Sequence, residues 1–127
     1  MKIAHLAVWV KDIEQMRQFY ETYFAAQAGD RYENTTRGFV SYFLTFPGSE
    51  VRLELMQQPT VTHKPDETPL GWAHLAISVG DETAVNTLTA KLEEAGYAVI
   101  GQPRWTGDGY YESVVADPED NWIEITI

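Results

Sequence analysis

A chain of 127 residues without cysteine has the length of one small domain and must bury its core without disulfides, so thiolate zinc sites and cysteine nucleophiles are excluded. Nineteen Asp and Glu against nine Lys and Arg leave a net charge of −10, which opposes binding to nucleic acid or anionic lipid. No apolar run reaches bilayer length, and the short apolar N-terminal stretch is closed by Lys11 and Asp12, so a cytoplasmic, soluble chain is expected.

In chain order, the stretch 3–10 alternates Leu6, Val8 and Val10 with His5, Ala7 and Trp9, which predicts a strand with one aliphatic face. Asp12 follows as a helix cap with Gln15 three residues on, and Ile13, Met16, Tyr20 and Tyr23 form the apolar stripe of a helix ending near Phe24. Three strand candidates lie between Gln27 and Gln57, separated at Thr35 to Gly38 and at Pro47-Gly48-Ser49. The last alternates clearly, with Val51, Leu53 and Leu55 on one face and Arg52, Glu54 and Met56 on the other. The stretch 58–70 is rich in proline and threonine, lacks periodicity and reads as a linker; His63 within it reads as a solvated loop residue.

The same order then returns. Over 72–79, Ala73, Leu75, Ile77 and Val79 oppose Trp72, His74, Ala76 and Ser78. Asp81 caps a helix whose stripe is Val85, Leu88, Leu92 and Ala95 and which stops at Gly96. Strands are expected over 97–105, 110–117 and 121–127, broken at Gly107-Asp108-Gly109 and at Asp117-Pro118-Glu119-Asp120.

The return is a repeat in the residues themselves. Ala4-His5-Leu6-Ala7 recurs as Ala73-His74-Leu75-Ala76, 69 positions on, and Val51-Arg52-Leu53-Glu54-Leu55 is answered by Asn121-Trp122-Ile123-Glu124-Ile125, with the glutamates 70 apart. The expected class is α+β: one domain over 1–127 built of two βαβββ modules, about 1–57 and 71–127, joined by the linker 58–70. His5, Glu54, His74 and Glu124 each fall on the strand parity opposite the aliphatic one, so each faces away from its helix. Two imidazoles and two carboxylates form a ligand set for a divalent ion, and an octahedral ion would keep two positions for water or substrate oxygens. Such a centre can polarise a carbonyl and hold a developing enediolate while a carboxylate removes and returns a proton.

These residues resemble the vicinal oxygen chelate superfamily of paired βαβββ modules, which includes glyoxalase I, methylmalonyl-CoA epimerase, extradiol dioxygenases, and the fosfomycin and bleomycin resistance proteins. The resemblance covers the chain and is carried by the His5 strand, the Glu54 strand, Gly71-Trp72-Ala73-His74-Leu75-Ala76-Ile77-Ser78, and the Asp117-Pro118 turn with 121–125. Glutamate at position 54 is similar to glyoxalase I, where the other members lack a ligand or carry Gln. The resemblance implies a lyase or isomerase acting on a small α-hydroxycarbonyl or thiohemiacetal. It also implies a nickel or cobalt ion, with zinc as the further option, and Glu124 as catalytic base with Glu54 as its symmetric counterpart. It implies a homodimer in which His5 and Glu54 of one chain meet His74 and Glu124 of the other.

The chain departs from that pattern at Trp9, where bacterial glyoxalase I usually has an arginine that contacts glutathione; tryptophan cannot make a charge-assisted pair with a carboxylate. It also has Asp120 where the closing turn usually has glycine, a substitution that tolerates a left-handed backbone. A metal-free ligand-binding protein like the bleomycin resistance proteins, or a thiol transferase like the fosfomycin resistance proteins, are the alternatives. Trp9, Met56, Trp72 and Trp122 share the ligands' parity and are candidates for a substrate wall, although rim packing accounts for Trp72 and Trp122 equally well. Arg104 and Arg37 are candidate cations for an acidic substrate. Gly107-Asp108-Gly109-Tyr110-Tyr111 reads as a glycine-containing hairpin turn, with a lid over the site as the other reading.

Overall fold

The computed structural model describes residues 2–64 and 70–127, so the stretch 65–69 of the expected linker lies outside the described residues. The chain divides into two compact units, Met1–Thr68 and Pro69–Ile127, each a mixed sheet with one helix packed on it. The first runs β1 (His5–Trp9), α1 (Ile13–Phe24), β2 (Gln27–Ala28), β3 (Tyr32–Asn34), β4 (Phe39–Thr45) and β5 (Arg52–Gln57). The second runs β6 (Leu75–Ser78), α2 (Glu82–Glu94), β7 (Val99–Trp105), β8 (Tyr111–Ala116) and β9 (Trp122–Thr126). This is the expected α+β class with two sheets.

In the first unit β1 pairs parallel with β5, β5 pairs antiparallel with β4, and β2 and β3 both line the far edge of β4. The second unit repeats the order as β6-β9-β8-β7, again with its opening and closing strands parallel. The first of the three strands expected between Gln27 and Gln57 is broken. Ala28 pairs with Leu44 but Tyr32 pairs with Ser41, so one extra residue bulges from this edge and leaves β2 and β3 as separate pieces. Strand β7 also slips register against β8, between Val99 and Gly101 and again before Arg104. Bulged outer strands twist an edge away from further pairing.

Helix α1 starts where Asp12 accepts a hydrogen bond from the Gln15 backbone N–H at 3.0 Å. Gln57 Oε1 accepts from Ile13 N–H at 3.1 Å, satisfying a second orphan donor. Asp81 does for α2 what Asp12 does for α1, accepting from Ala84 N–H at 2.8 Å. The buried face of α1 is Ile13, Met16, Phe19, Tyr20 and Phe24, lying over Val40, Tyr42, Leu44, Leu53 and Leu55. Tyr23, placed on the stripe by sequence spacing, is half-buried, and Phe19 and Phe24 are buried instead.

The second core departs further from expectation. Val85 and Leu92 are buried, but Leu88 is only half-buried and Ala95 is exposed, and the buried position one turn after Val85 is Thr89. Its hydroxyl lies 2.7 Å from the Val85 carbonyl, to which it donates, and 2.6 Å from the buried Ser113 hydroxyl. A polar residue can sit in an apolar layer when its hydrogen bonds are made inside it. With the helix and the aliphatic parity packed together in each unit, the opposite face of each sheet is left for the polar residues.

Candidate metal centre

In the first module β1 presents His5 and β5 presents Glu54 from neighbouring parallel strands. The register pairs Ala7 with Glu54 and His5 with Arg52, so the two side chains rise from the same face one step apart. His5 Nε2 lies 3.7 Å from Glu54 Oε2. In the second module His74, immediately before β6, and Glu124 on β9 repeat the arrangement at 3.4 Å. The match extends to exposure: the imidazoles are both 40% exposed, and the carboxylates are 15% and 18% exposed.

The 3.4 Å separation fits two donors to one ion, and the 3.7 Å separation is a few tenths of an ångström wider. With metal–donor bonds of about 2.1 Å, adjacent ligands stand about 3.0 Å apart in an octahedron and about 3.4 Å apart in a tetrahedron. The imidazole nitrogens and carboxylate oxygens suit nickel, cobalt or zinc rather than calcium. Within its own module neither pair belongs to a cluster of three or more groups placed to hold a metal, among the described residues. Each module therefore offers two donors.

The surroundings of the two pairs differ. Cross-strand from Glu54 is Phe43, whose ring meets the His5 ring edge-to-face at 5.3 Å. Trp9, 43% exposed, packs edge-to-face with Phe39 at 6.2 Å, and Phe39 meets Tyr32 at 6.1 Å. Met56, half-buried, is the register partner of Trp9 on β5. The wall expected at Trp9 and Met56 thus continues through Phe39 and Tyr32, which a count of strand parity within β1 and β5 does not reach.

Beside Glu124 there is no aromatic cross-strand partner, and a second carboxylate stands nearby. Cross-strand from it is Val114, and one step along, opposite Thr126, is Glu112. Burial raises the Glu124 carboxyl above the usual carboxylate range, the Glu112 charge and a hydrogen bond to Glu112 add to the rise, and His74 opposes it. Arg104, on β7, reaches Glu112 at 3.3 Å. Arg104 is therefore held by a carboxylate on the ligand face of this sheet, and Trp122 is half-exposed two residues before Glu124. Trp72 is almost fully exposed. Glu112 was missed in the sequence because its parity means nothing until β8 is registered on β9.

Two short repeats, each a strand–helix–strand–strand–strand unit closed by a parallel pairing and each carrying a His–Glu pair on the face away from its helix, define an α+β fold of repeated modules. The chain belongs to the Glyoxalase/Bleomycin resistance protein/Dioxygenase superfamily, whose family model matches residues 2–125. It is 24% identical over 126 residues to the uncharacterized protein YqjT of Bacillus subtilis (strain 168), covering 95% of this chain and 94% of that one. Among solved structures it is similar to a glyoxylase/bleomycin resistance protein/dioxygenase domain from Frankia sp. EAN1pec, with 19% identity, a TM-score of 0.85, and coverage of 100% of this chain and 97% of that one. It is also similar to glyoxalase I of Zea mays, at 21% identity and a TM-score of 0.78; that match covers 98% of this chain but spans only 44% of the maize chain. At such identities these likenesses establish the fold. Among the described residues no helix is long and apolar enough to cross a membrane.

Proposed function

We propose that this chain is a divalent-metal-dependent lyase or isomerase of the glyoxalase I kind. It would move a proton between adjacent carbons of a small α-hydroxycarbonyl or thiohemiacetal. The observation that carries the reading is the recurrence of one His Nε2–Glu Oε pair at matching register in both modules, at 3.7 and 3.4 Å. His5, Glu54, His74 and Glu124 would hold the ion, with nickel or cobalt favoured and zinc acceptable to the same donors. Bound there, the ion supplies Lewis acidity toward a substrate carbonyl.

The chain's own residues supply the proton transfer. Glu124 is the base: it is largely buried, and the neighbouring Glu112 charge strengthens its hold on a proton. The proton taken from one carbon is returned to its neighbour, so no oxidant or co-reactant is consumed. Glu54 is its symmetric counterpart in the first module, set against Phe43 instead of a second carboxylate. Trp9 and Met56 line the apolar flank of the first pair, while Arg104 and Trp122 flank the second.

Because each module offers two donors, a four-donor centre needs both kinds of module. On this proposal a homodimer brings His5 and Glu54 of one protomer to His74 and Glu124 of the other, and a twofold axis then gives two equivalent centres. A crystal with all four donors of one ion drawn from a single chain would refute that assembly. The chemistry is tested by quantifying bound nickel, cobalt, zinc and iron in the purified chain and assaying each metal form with methylglyoxal and glutathione. Stoichiometric metal is the expected result, and S-lactoylglutathione formed with it would establish the glyoxalase I reaction and show that Trp9 is tolerated. Metal without turnover would retain the centre and turn attention to other thiols and hydroxycarbonyls. Failure to take up any of the ions would overturn the enzyme reading in favour of a ligand-binding protein.

A further inference from the structure

We propose that Arg52 is a specificity-determining residue that anchors a carboxylate of the substrate beside the first His–Glu pair. This deepens the proposed function and rests on it, because the substrate's chelating oxygens would sit at His5 and Glu54. Arg52 lies two residues before Glu54 on β5 and is the register partner of His5, so all three rise from one face of the sheet. Its guanidinium carbon stands 4.3 Å over the Phe43 ring, the same ring that meets His5 at 5.3 Å. Stacking on an aromatic face fixes the plane of a guanidinium and leaves its N–H edges free to donate.

The state of the other arginines sharpens the point. In a chain with 19 acidic and nine basic residues, Arg17 is paired with Glu14 and Glu21, Arg31 with Glu33, and Arg104 with Glu112; among the described residues Arg37 also lacks an ion pair, but it lies in the turn after β3 and not on the ligand face of a strand. Among the described residues Arg52 has a ring beneath it and no carboxylate at ion-pair distance, and it is exposed. An acidic protein has left one forked donor unneutralised next to a candidate chelating pair. Such a fork is complementary to a carboxylate.

The spacing sets the substrate class. Positions i and i+2 on a strand are about 7 Å apart, and the Arg52 guanidinium lies over Phe43, cross-strand from Glu54, so the anion would lie within about that reach of the chelating oxygens, above the Phe43 ring. On the other side of Glu54 the face carries Met56 and Trp9, the latter packed on Phe39, which suits an uncharged apolar remainder. The ligand would be a hydroxycarbonyl or ketocarbonyl compound bearing a carboxylate three or four bonds from its chelating atoms.

The test is calorimetric and needs no turnover. Nickel-loaded protein is titrated with glutaric acid monohydroxamate, in which a hydroxamate chelator carries a carboxylate at this reach, and with the same compound bearing a carboxamide in place of the carboxylate, so that the chelating group is identical in both. Wild type is expected to bind the carboxylate form about 10- to 100-fold more tightly, as a hydrogen-bonded charge pair should. The preference is expected to shrink with added salt, to vanish in Arg52→Gln and to survive in part in Arg52→Lys. Nickel affinity, measured separately, is expected to be unchanged in Arg52→Gln. Equal binding of the two probes by wild type, or a preference that persists in Arg52→Gln, would overturn the proposal while leaving the metal centre standing. Loss of nickel from Arg52→Gln alone would make the residue a support for His5 and also overturn it. Wild type that takes no nickel would bring down the proposed function and this inference together, an outcome the metal titration registers before any probe is added.

Discussion

The two modules share a skeleton and a His–Glu pair, yet almost nothing beside the pair is shared. Registered on one another, Phe43 of the first corresponds to Val114 of the second, Ser41 to Glu112, and Met56 to Thr126. Trp9 likewise corresponds to Ser78. One pair sits among aromatic rings with a stacked arginine; the other sits among hydroxyls with a second carboxylate. The backbone that sets the donors is repeated, while the neighbours that would tune them are free to diverge. That difference assigns separate duties on the proposed function: recognition of the substrate to the first module and proton transfer to the second.

The largest effect that can break this division comes from the two glutamates. Glu124→Gln keeps an oxygen donor but removes the base, and kcat of the metal-loaded protein is expected to fall about 10²- to 10⁴-fold. Glu54→Gln has the same effect on the donor set and is expected to change metal affinity more than turnover. Equal losses of kcat in both would erase the asymmetry. The next effect tests whether unlike modules complete one another. His5→Ala and His74→Ala chains, each inactive alone, are unfolded, mixed and refolded together. If the centre forms across a homodimer, random pairing restores about a quarter of the sites, because one of the two sites in each mixed dimer has both modules intact. If each chain completes its own site, every site stays damaged and no activity returns.

The sequence already shows what the repeat preserves and hides what it does not. Both histidine strands, both glutamate strands and both aspartate caps stand at near-constant offsets, so the class and the two pairs were readable before any coordinates. Asp120 bears out its expected tolerance, taking φ 61 in the closing turn. The bulges that split β2 from β3 and shift β7 were hidden, because an extra residue shows only as a shift of alternation and the mostly polar stretch 27–34 has none to shift. Thr89 was hidden for another reason: an apolar stripe count passes over a hydroxyl that finds its partners inside the core. Arg52 was on the page as a face-mate of Glu54, but its stacking on Phe43 depends on β4 lying beside β5. Glu112 depended likewise on β8.

Thr89 and Ser113 give the next prediction in size, and they sharpen the comparison at the level of the cores. The first module has a largely apolar layer under its helix, whereas the second has this buried hydroxyl pair. Thr89→Val leaves Ser113 without its partner in a site with no water access, at a cost of about 1–3 kcal/mol in chemical denaturation. Adding Ser113→Ala removes the orphaned group and is expected to recover much of that loss. A double variant no more stable than Thr89→Val would mean that packing shape, rather than the hydrogen bond, holds the pair there.

The smallest effect lies where the helices end. Helix α2 is followed by Gly96 at φ 89, with the Tyr97 N–H reaching back to the Leu92 carbonyl at 3.0 Å. Helix α1 makes a comparable left-handed exit at Ala25, φ 52, where Ala26 N–H bonds the Tyr20 carbonyl at 3.2 Å. A left-handed alanine carries a steric cost that glycine lacks, and Ala25 is exposed, so its methyl has little packing to lose. Ala25→Gly is therefore expected to stabilise the protein by roughly 0.5–1 kcal/mol, the relieved strain outweighing the added freedom of the unfolded chain. Gly96→Ala is expected to destabilise it by about 1 kcal/mol. Nothing lies within 4 Å of a Cβ built at Gly96, so that cost would be backbone strain alone. A destabilising Ala25→Gly would show that the first module has adapted its turn to alanine, and that the two helix exits differ in more than the residue they use.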